Sequence, residues 1–322
     1  MTTAVEILES GPVTSVQDLG RPDYLALGVS LGGAMDRLAA QVSNAMVGNP
    51  NEAACLEVGG FPFRLRFHRR LKVALTGADC EALLNERPLP PWWTFHVQAN
   101  DELALNPPKR GRYCYLALAG GIDIPPILGS RSTDMKTGIG GFEGRGLRPG
   151  DRLEIGSPGR GVPAGEFGVS LSYPLLPHQR MTRLRVLAAA EFDALTEDSR
   201  ALFSRTRWKV TSAFNRTGAK LDGARLSLTA PRDVLSYGVV PGLIQVPPLG
   251  KPIIQLAEAN TCGGYPRIGT IIGPDLRLVA QTPAGGSVCF EVIDHARSTA
   301  ALAEERTALA TLKQSLARAA AA

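Results

Sequence analysis

A mainly β protein with few helices is predicted by three features of the sequence: its apolar runs are mostly a few residues long, turn residues separate them, and helical periodicity is scarce. Gly (35) and Pro (24) supply those turns in a chain of 322 residues, the pattern of many short strands.

The strands announce themselves in order. Phe63, Leu65 and Phe67 alternate with Arg64 and Arg66, which predicts a half-buried strand with a charged outer face. Further strands are expected over Leu71 to Leu75, Leu103 to Leu105, Tyr113 to Ala119, Leu184 to Leu187, Ile253 to Leu256 and Val288 to Ile293. One helix begins at Asp36, a good N-cap, carries Leu38, Val42, Ala45 and Met46 on one side and stops at Gly48. A second covers roughly Glu191 to Ser204. The Ala-rich tail from about Asp294 places Leu302, Leu309, Leu312 and Leu316 near heptad spacing, which predicts a helix docking one narrow stripe on the body or on a partner.

At this length two domains are the default. The Gly/Pro-rich stretch Ser157 to Gly168 is the expected boundary, giving a β-domain over 1–160, a second over 161–297 and a C-terminal helix over 298–322. A short echo supports two related halves: Gly28-Val29 before Gly33-Ala34-Met35, and Gly238-Val239 before Gly242-Leu243-Ile244.

Charge and composition exclude several classes. The net charge is +5, but the basic residues are scattered, and the densest group, Arg64 to Lys72, is the strand face just described. A nucleic-acid stripe would need aromatics on the same face as the charges. Five cysteines, Cys55, Cys80, Cys114, Cys262 and Cys289, form no CxxC pair and read as reduced core residues. No signal peptide or membrane span is evident, so a cytoplasmic location is expected.

Catalytic signatures are missing. There is no GxxxxGK[ST] phosphate loop, and Gly138-Ile139-Gly140-Gly141-Phe142-Glu143-Gly144 departs from GxGxxG and reads as a loop. His68, His96, His178 and His295 stand apart, so no metal site is expected. There is no GxSxG elbow and no SxxK, and catalytic residues cannot be named.

What remains is a set of polar residues in turn-rich loops, where β-scaffolds display functional groups. In Gln17-Asp18-Leu19-Gly20-Arg21-Pro22, Arg21 suits a substrate carboxylate because its planar fork donates two parallel hydrogen bonds. An internal Asp18–Arg21 ion pair explains the same residues equally well. Asp36 is best read as a helix cap.

These segments come in a recognisable order: Gln17-Asp18-Leu19-Gly20-Arg21-Pro22, Gly33-Ala34-Met35-Asp36, Val47-Gly48-Asn49, Ala119-Gly120-Gly121-Ile122-Asp123, Leu128-Gly129-Ser130-Arg131-Ser132-Thr133, Ile244-Gln245-Val246-Pro247-Pro248 and Gly263-Gly264-Tyr265-Pro266. From about Val5 to Val292 the chain resembles the allophanate hydrolase subunit 2 family. That family includes members from 5-oxoprolinase, an antagonist of a sporulation kinase inhibitor and part of the carboxyltransferase region of urea carboxylase.

The resemblance implies two cyclophilin-like β-barrel domains and a partner like the B component of 5-oxoprolinase, which completes a shared cleft. It also implies a third protein, like the A component, for ATP-dependent opening of the lactam of 5-oxoproline to glutamate. No cofactor is evident in this chain; ATP with Mg is implied for the complex. A lactam is a poor electrophile, so positioned amides and cations matter more than a nucleophile. The expected substrate-binding residues are therefore Gln17, Asp18, Arg21, Asn49, Arg131, Gln245 and Tyr265, with Arg21 or Arg131 on the carboxylate and Gln245 and Tyr265 at the lactam. Gly263-Gly264-Tyr265-Pro266 also reads as a tight turn with a buried tyrosine, and Gly129-Ser130-Arg131 as a strand-end loop with a structural guanidinium.

Two departures bear on activity. Asn215-Arg216-Thr217-Gly218 stands where the family often carries an Asp-Arg-Met-Gly-like segment, and Glu258-Ala259-Asn260 replaces an Asp-rich approach to the GGY motif. Rival readings are a non-catalytic regulatory partner and a carboxyltransferase acting on urea-like amides. The latter needs a biotinylated lysine, and the sole Met-Lys is Met135-Lys136 followed by Thr137, so a biotin carrier would lie on another chain.

Overall fold

The computed structural model describes residues 3–159, 161–171, 176–177, 181–230 and 234–321. Among the residues named above, His178 and Arg160 of the Gly/Pro-rich stretch lie outside these ranges. The chain divides into two compact units. The first comprises Met1–Arg21, Gly32–Leu176 and Thr307–Ala322, the second Pro22–Leu31 and Pro177–Arg306.

The first unit is built from two antiparallel sheets. One orders its strands Arg152–Leu153, Val5–Glu9, Phe63–Phe67, Glu102–Leu105, Leu83–Leu84 and Arg87–Pro88; the other runs Ser15–Gln17, Cys55–Val58, Arg110–Leu118, Leu71–Asp79 and Trp93–Val97. Alternation explains their faces. Phe63, Leu65 and Phe67 are fully buried, while Arg64 and Arg66 each reach Glu102 of the neighbouring strand at 2.7 Å. Each such Phe or Leu contributes roughly 1.5–3 kcal/mol on burial. Val5, Ile7 and Phe63 from one sheet and Val16, Leu56 and Val73 from the other belong to one core.

This half is not a closed barrel, which corrects the expectation of two barrels. Among the described residues no ladder joins the two sheets, and the common core holds them together instead.

Helix α1, Arg37–Met46, begins where the sequence places it. Asp36 Oδ1 accepts from Ala39 N at 3.0 Å, an N-cap worth about 1 kcal/mol. Leu38, Val42 and Met46 are buried, and Gly48 takes a φ of +75° just beyond the helix end.

The chain leaves the first unit later than its composition suggests. Thr94 N donates to Phe167 O at 2.8 Å, Phe167 N to Thr94 Oγ1 at 2.9 Å, and Arg87 pairs with Glu166 at 3.1 Å. The Gly/Pro-rich stretch thus belongs to the first unit, and the division falls at Leu176–Pro177.

The second unit contains a closed seven-stranded barrel. Its order is Thr182–Ala188, Arg267–Ile271, Leu243–Gln245, Ile253–Gln255, Gly218–Asp222, Trp208–Val210 and Ser287–Ile293, closed by a parallel pairing of the last strand with the first. A separate hairpin pairs Tyr237–Gly238 with Cys262–Gly263. Helix α2, Glu197–Arg205, is capped by Thr196 Oγ1 accepting from Ser199 N at 3.2 Å.

Helix α3, Gly273–Ala280, is too short to show a period in sequence. Its buried Asp275 accepts from Arg185 N at 2.7 Å, Nε at 3.0 Å and Nη2 at 2.6 Å. Helix α4, His295–Ala321, is the anticipated tail, with Leu312 and Leu316 buried and Leu302 and Leu309 half-buried.

Four cysteines are buried as expected, but Cys262 is exposed on the hairpin, a correction to the reading of all five as core. Burial raises the Cys55 thiol pKa, reinforced by the Glu57 and Asp18 carboxylates. Among the described residues no helix is long and apolar enough to cross a membrane.

Candidate functional site

In the first unit the predicted residues cluster around Asp18, and most face inward. Asp18 is buried, and its carboxylate accepts from Gly20 N and Ser130 Oγ at 2.7 Å and from Arg131 N and Ser132 Oγ at 2.5 Å. Four donors saturate it. Asp18 thereby ties the 17–22 loop to the 128–133 loop, which explains why both motifs occur together.

Gln17 is fully buried, donating to Ser15 Oγ at 2.9 Å and Thr133 O at 3.0 Å, with Oε1 left without a hydrogen-bond partner. Asn49 donates to Asn44 Oδ1 at 3.0 Å and Leu118 O at 2.8 Å and accepts from Gly120 N at 2.8 Å. It fastens the end of α1 to the turn after the central strand Arg110–Leu118. Gln17, Asp18 and Asn49, expected as substrate ligands, thus stand enclosed, with their polar groups engaged within the protein apart from Gln17 Oε1.

Arg21 is 1% exposed; Nη2 donates to Ser132 O at 2.6 Å, and Nε and Nη1 have no partner. No ion pair joins it to Asp18, whose oxygens are taken. Gly140, at φ +68°, closes over the guanidinium, since a Cβ there would lie 2.7 Å from Nη2. The glycine-rich 138–144 segment is thus a lid on buried side chains and not a phosphate loop.

Arg131 is the accessible arginine of this cluster. Its Nε donates to Ile124 O at 2.7 Å, Nη2 stands 4.0 Å from Asp123, and about a third of the side chain (37%) is exposed.

Sequence reasoning missed a buried support beneath the Gly33-Ala34-Met35-Asp36 motif. Glu57, on the strand Cys55–Val58, accepts from Met35 N and Tyr115 Oη at 2.7 Å, and Tyr115 Oη accepts from Asp36 N at 2.7 Å. Burial, then the Glu57 charge, pushes the Tyr115 hydroxyl pKa up. Glu57 and Tyr115 look like ordinary strand residues in sequence, and nothing local signals their role.

In the second unit Gln245 and Tyr265 meet through a third residue. Gln255 Nε2 donates to Gln245 Oε1 at 2.8 Å, Gln245 Nε2 to Tyr237 Oη at 2.8 Å, and Tyr237 Oη to the carbonyl of Tyr265. Each donor has one direction, so the relay fixes the Gln245 amide and the GGYP loop together. Gly263 is required here, as a Cβ would lie 2.7 Å from Gln245 Nε2. Arg267 stacks its guanidinium 4.3 Å from the Tyr237 ring centre while Nε donates to Glu191 at 3.1 Å. Burial raises the Tyr237 pKa.

Tyr265 itself is 47% exposed, so it is not the buried tyrosine of a structural turn. It lines a cleft of about 610 Å³ with Leu226, Val246, Pro247, Pro248 and Pro266. Gln245 lies behind this wall, buried, and acts on the cleft through Tyr237. The two sequence departures also meet: Arg216 Nε donates to Glu258 at 2.5 Å in a buried ion pair, and Asn215 Oδ1 accepts from Thr217 N and Gly218 N.

With this geometry in hand, the relatives are informative. Residues 27–292 match the carboxyltransferase domain, subdomain A and B family. The chain belongs to that family. It is 40% identical over 286 residues to the C component of 5-oxoprolinase from Escherichia coli (strain K12), covering 89% of this chain and 90% of that protein. Identity to the corresponding C component of Haemophilus influenzae 5-oxoprolinase is 34%, covering 90% and 91%. Among solved structures, the Kluyveromyces lactis urea amidolyase superposes with a TM-score of 0.86 at 26% identity, over 96% of this chain and 20% of that one. TTHA0988 gives 0.77 at 31% identity, over 90% of this chain and 55% of its own.

Proposed function

We propose that this chain is one component of an ATP-dependent 5-oxoprolinase, hydrolysing the lactam of 5-oxoproline to glutamate with partners like the A and B components of that enzyme and inactive alone. The observation that carries the reading is the likeness to the C components of two 5-oxoprolinases along nine-tenths of the chain. The cleft beside Tyr265, held in place by the Gln245–Tyr237 relay, supplies a surface for a small ring.

The chemistry fits a protein whose part is positioning. Opening a lactam with ATP requires the carbonyl, the phosphate and a water to be held together while charge develops on oxygen. The accessible groups are Arg131 in the first unit and Tyr265 in the second, suited to charge stabilisation and to covering a ring. ATP and its Mg are assigned to the complex and not to a site on this chain. In the first unit Arg131 is the residue proposed to meet an anionic group of the reacting complex, because more than a third of its side chain (37%) is exposed.

Arg131→Lys in the reconstituted three-component complex is expected to lower kcat/KM for 5-oxoproline about tenfold or more, since Lys cannot reproduce the fork. Unchanged KM and kcat would remove Arg131 from the site.

The urea amidolyase superposition favours one second reading, a carboxyltransferase acting on urea-like amides. Lys136 follows Asp134, whose carboxylate accepts from Lys136 N and Thr137 N at 3.1 Å. That Met-Lys-Thr turn differs from a biotin-bearing Met-Lys-Met, so this reading would need a separate biotin carrier. Biotin-dependent carboxylation of urea without glutamate release would select it.

A further inference from the structure

The cleft of the second unit has a chemical bias that neither its neighbours nor its motifs disclose. Its described lining mixes rings and apolar side chains, Val246, Pro247, Pro248, Pro266 and the half-exposed Tyr265, with the polar Ser227, and Arg225 is the one charged side chain among it. Arg225 makes no hydrogen bond or ion pair with any described residue. No carboxylate stands among the described lining residues to neutralise it.

The backbone passes close beneath the stem of that arginine. Gly250 has a φ of +72°, and a Cβ on it would lie 2.6 Å from Arg225 Cγ and 2.5 Å from Leu226 O, while Leu226 N donates to Gly250 O at 2.9 Å. The aliphatic stem of Arg225 therefore lies over a bare glycine, and the exposed residue lines the cleft.

We propose that the cleft is a binding site for a small ring-bearing monocarboxylate, with Arg225 receiving the carboxylate and Tyr265 and the prolines covering the ring. The ring-bearing part of the wall selects the ring, and the guanidinium, with no acid among the described lining residues, selects a single negative charge through charge-assisted hydrogen bonds. The proposal deepens the 5-oxoprolinase reading by naming the residue that recognises the substrate's acid group, and it rests on that reading for the identity of the ring.

The test uses three probes: 5-oxoproline, cyclopentanecarboxylate, which keeps ring and charge without a lactam, and 2-pyrrolidinone, which keeps the lactam without charge. Binding is measured by NMR titration of the full chain and, with the same probes, of the reconstituted complex. Both carboxylates are expected to shift resonances of the cleft, and Arg225→Gln to weaken both about tenfold or more while leaving 2-pyrrolidinone unchanged; Arg225→Lys should restore part of the loss. The proposal is overturned if Arg225→Gln binds the carboxylates as wild type does, or if neither carboxylate binds chain or complex. Should both carboxylates bind through Arg225 while the complex turns over no 5-oxoproline, the oxoprolinase reading fails and the cleft stands.

Discussion

At the scale of single residues, chemical type alone misjudged who faces the solvent. Gln17, Asp18, Arg21 and Asn49 are the polar residues one would select for binding, yet all are buried. A β-scaffold needs its long loops tied to one another, and buried amides and carboxylates do this by satisfying backbone N–H groups that strands cannot reach. Asp18 is the clearest case. Replacing it by Asn puts an amide where a carboxylate now accepts four hydrogen bonds, leaving buried donors opposed or unpaired. Asp18→Asn is expected to destabilise the protein by roughly 2–4 kcal/mol, read as a lowered midpoint in urea. A stability equal to wild type combined with lost substrate binding would instead return Asp18 to the site.

At the scale of elements, most strands lie where alternation puts them, because one face of each is buried and the period of two is written in the sequence. Phe63–Phe67 has the predicted bounds, and Asp36 caps α1 as its residue type suggests. Short elements with no repeat to read, such as α3 and the Tyr237–Gly238 hairpin strand, were invisible. So was the Gln245–Tyr237–Tyr265 relay, whose members are joined only by tertiary hydrogen bonds.

The loop before Arg152–Leu153 shows what such bonds do with pH. Burial pushes the Asp151 carboxyl pKa up, but Arg145 Nη1 at 2.7 Å and Nη2 at 2.9 Å and Arg148 N at 2.8 Å more than offset this, leaving it below the ordinary carboxylate value. A depressed carboxyl stabilises the folded state above its unfolded pKa and loses that contribution as pH falls through the folded one. Wild type should therefore exceed Asp151→Asn in stability at pH 7, with the gap closing on acidification below the ordinary carboxylate range. Parallel stability curves from pH 7 to the acid limb would contradict this.

At the scale of the whole molecule, the family was legible because motifs recur in a fixed order along the chain, whereas the architecture they imply was only half right. One closed barrel is present, and the other half is a pair of sheets around a common core. The division at Leu176–Pro177 was hidden because a Gly/Pro-rich stretch reads as a linker, while here it adds hydrogen bonds to the edge strand Trp93–Val97. Arg225 escaped notice for a related reason: its value depends on Gly250, twenty-five residues away, and on the cleft it lines, whose described residues include no acid.

The most direct measurement titrates this chain into a fixed amount of the A-like and B-like components proposed as its partners, and follows glutamate formed from 5-oxoproline with ATP. The account predicts no glutamate without the chain and a rate that rises until the chain is stoichiometric with its partners. Glutamate formed at full rate in its absence, or none at any ratio, would contradict it.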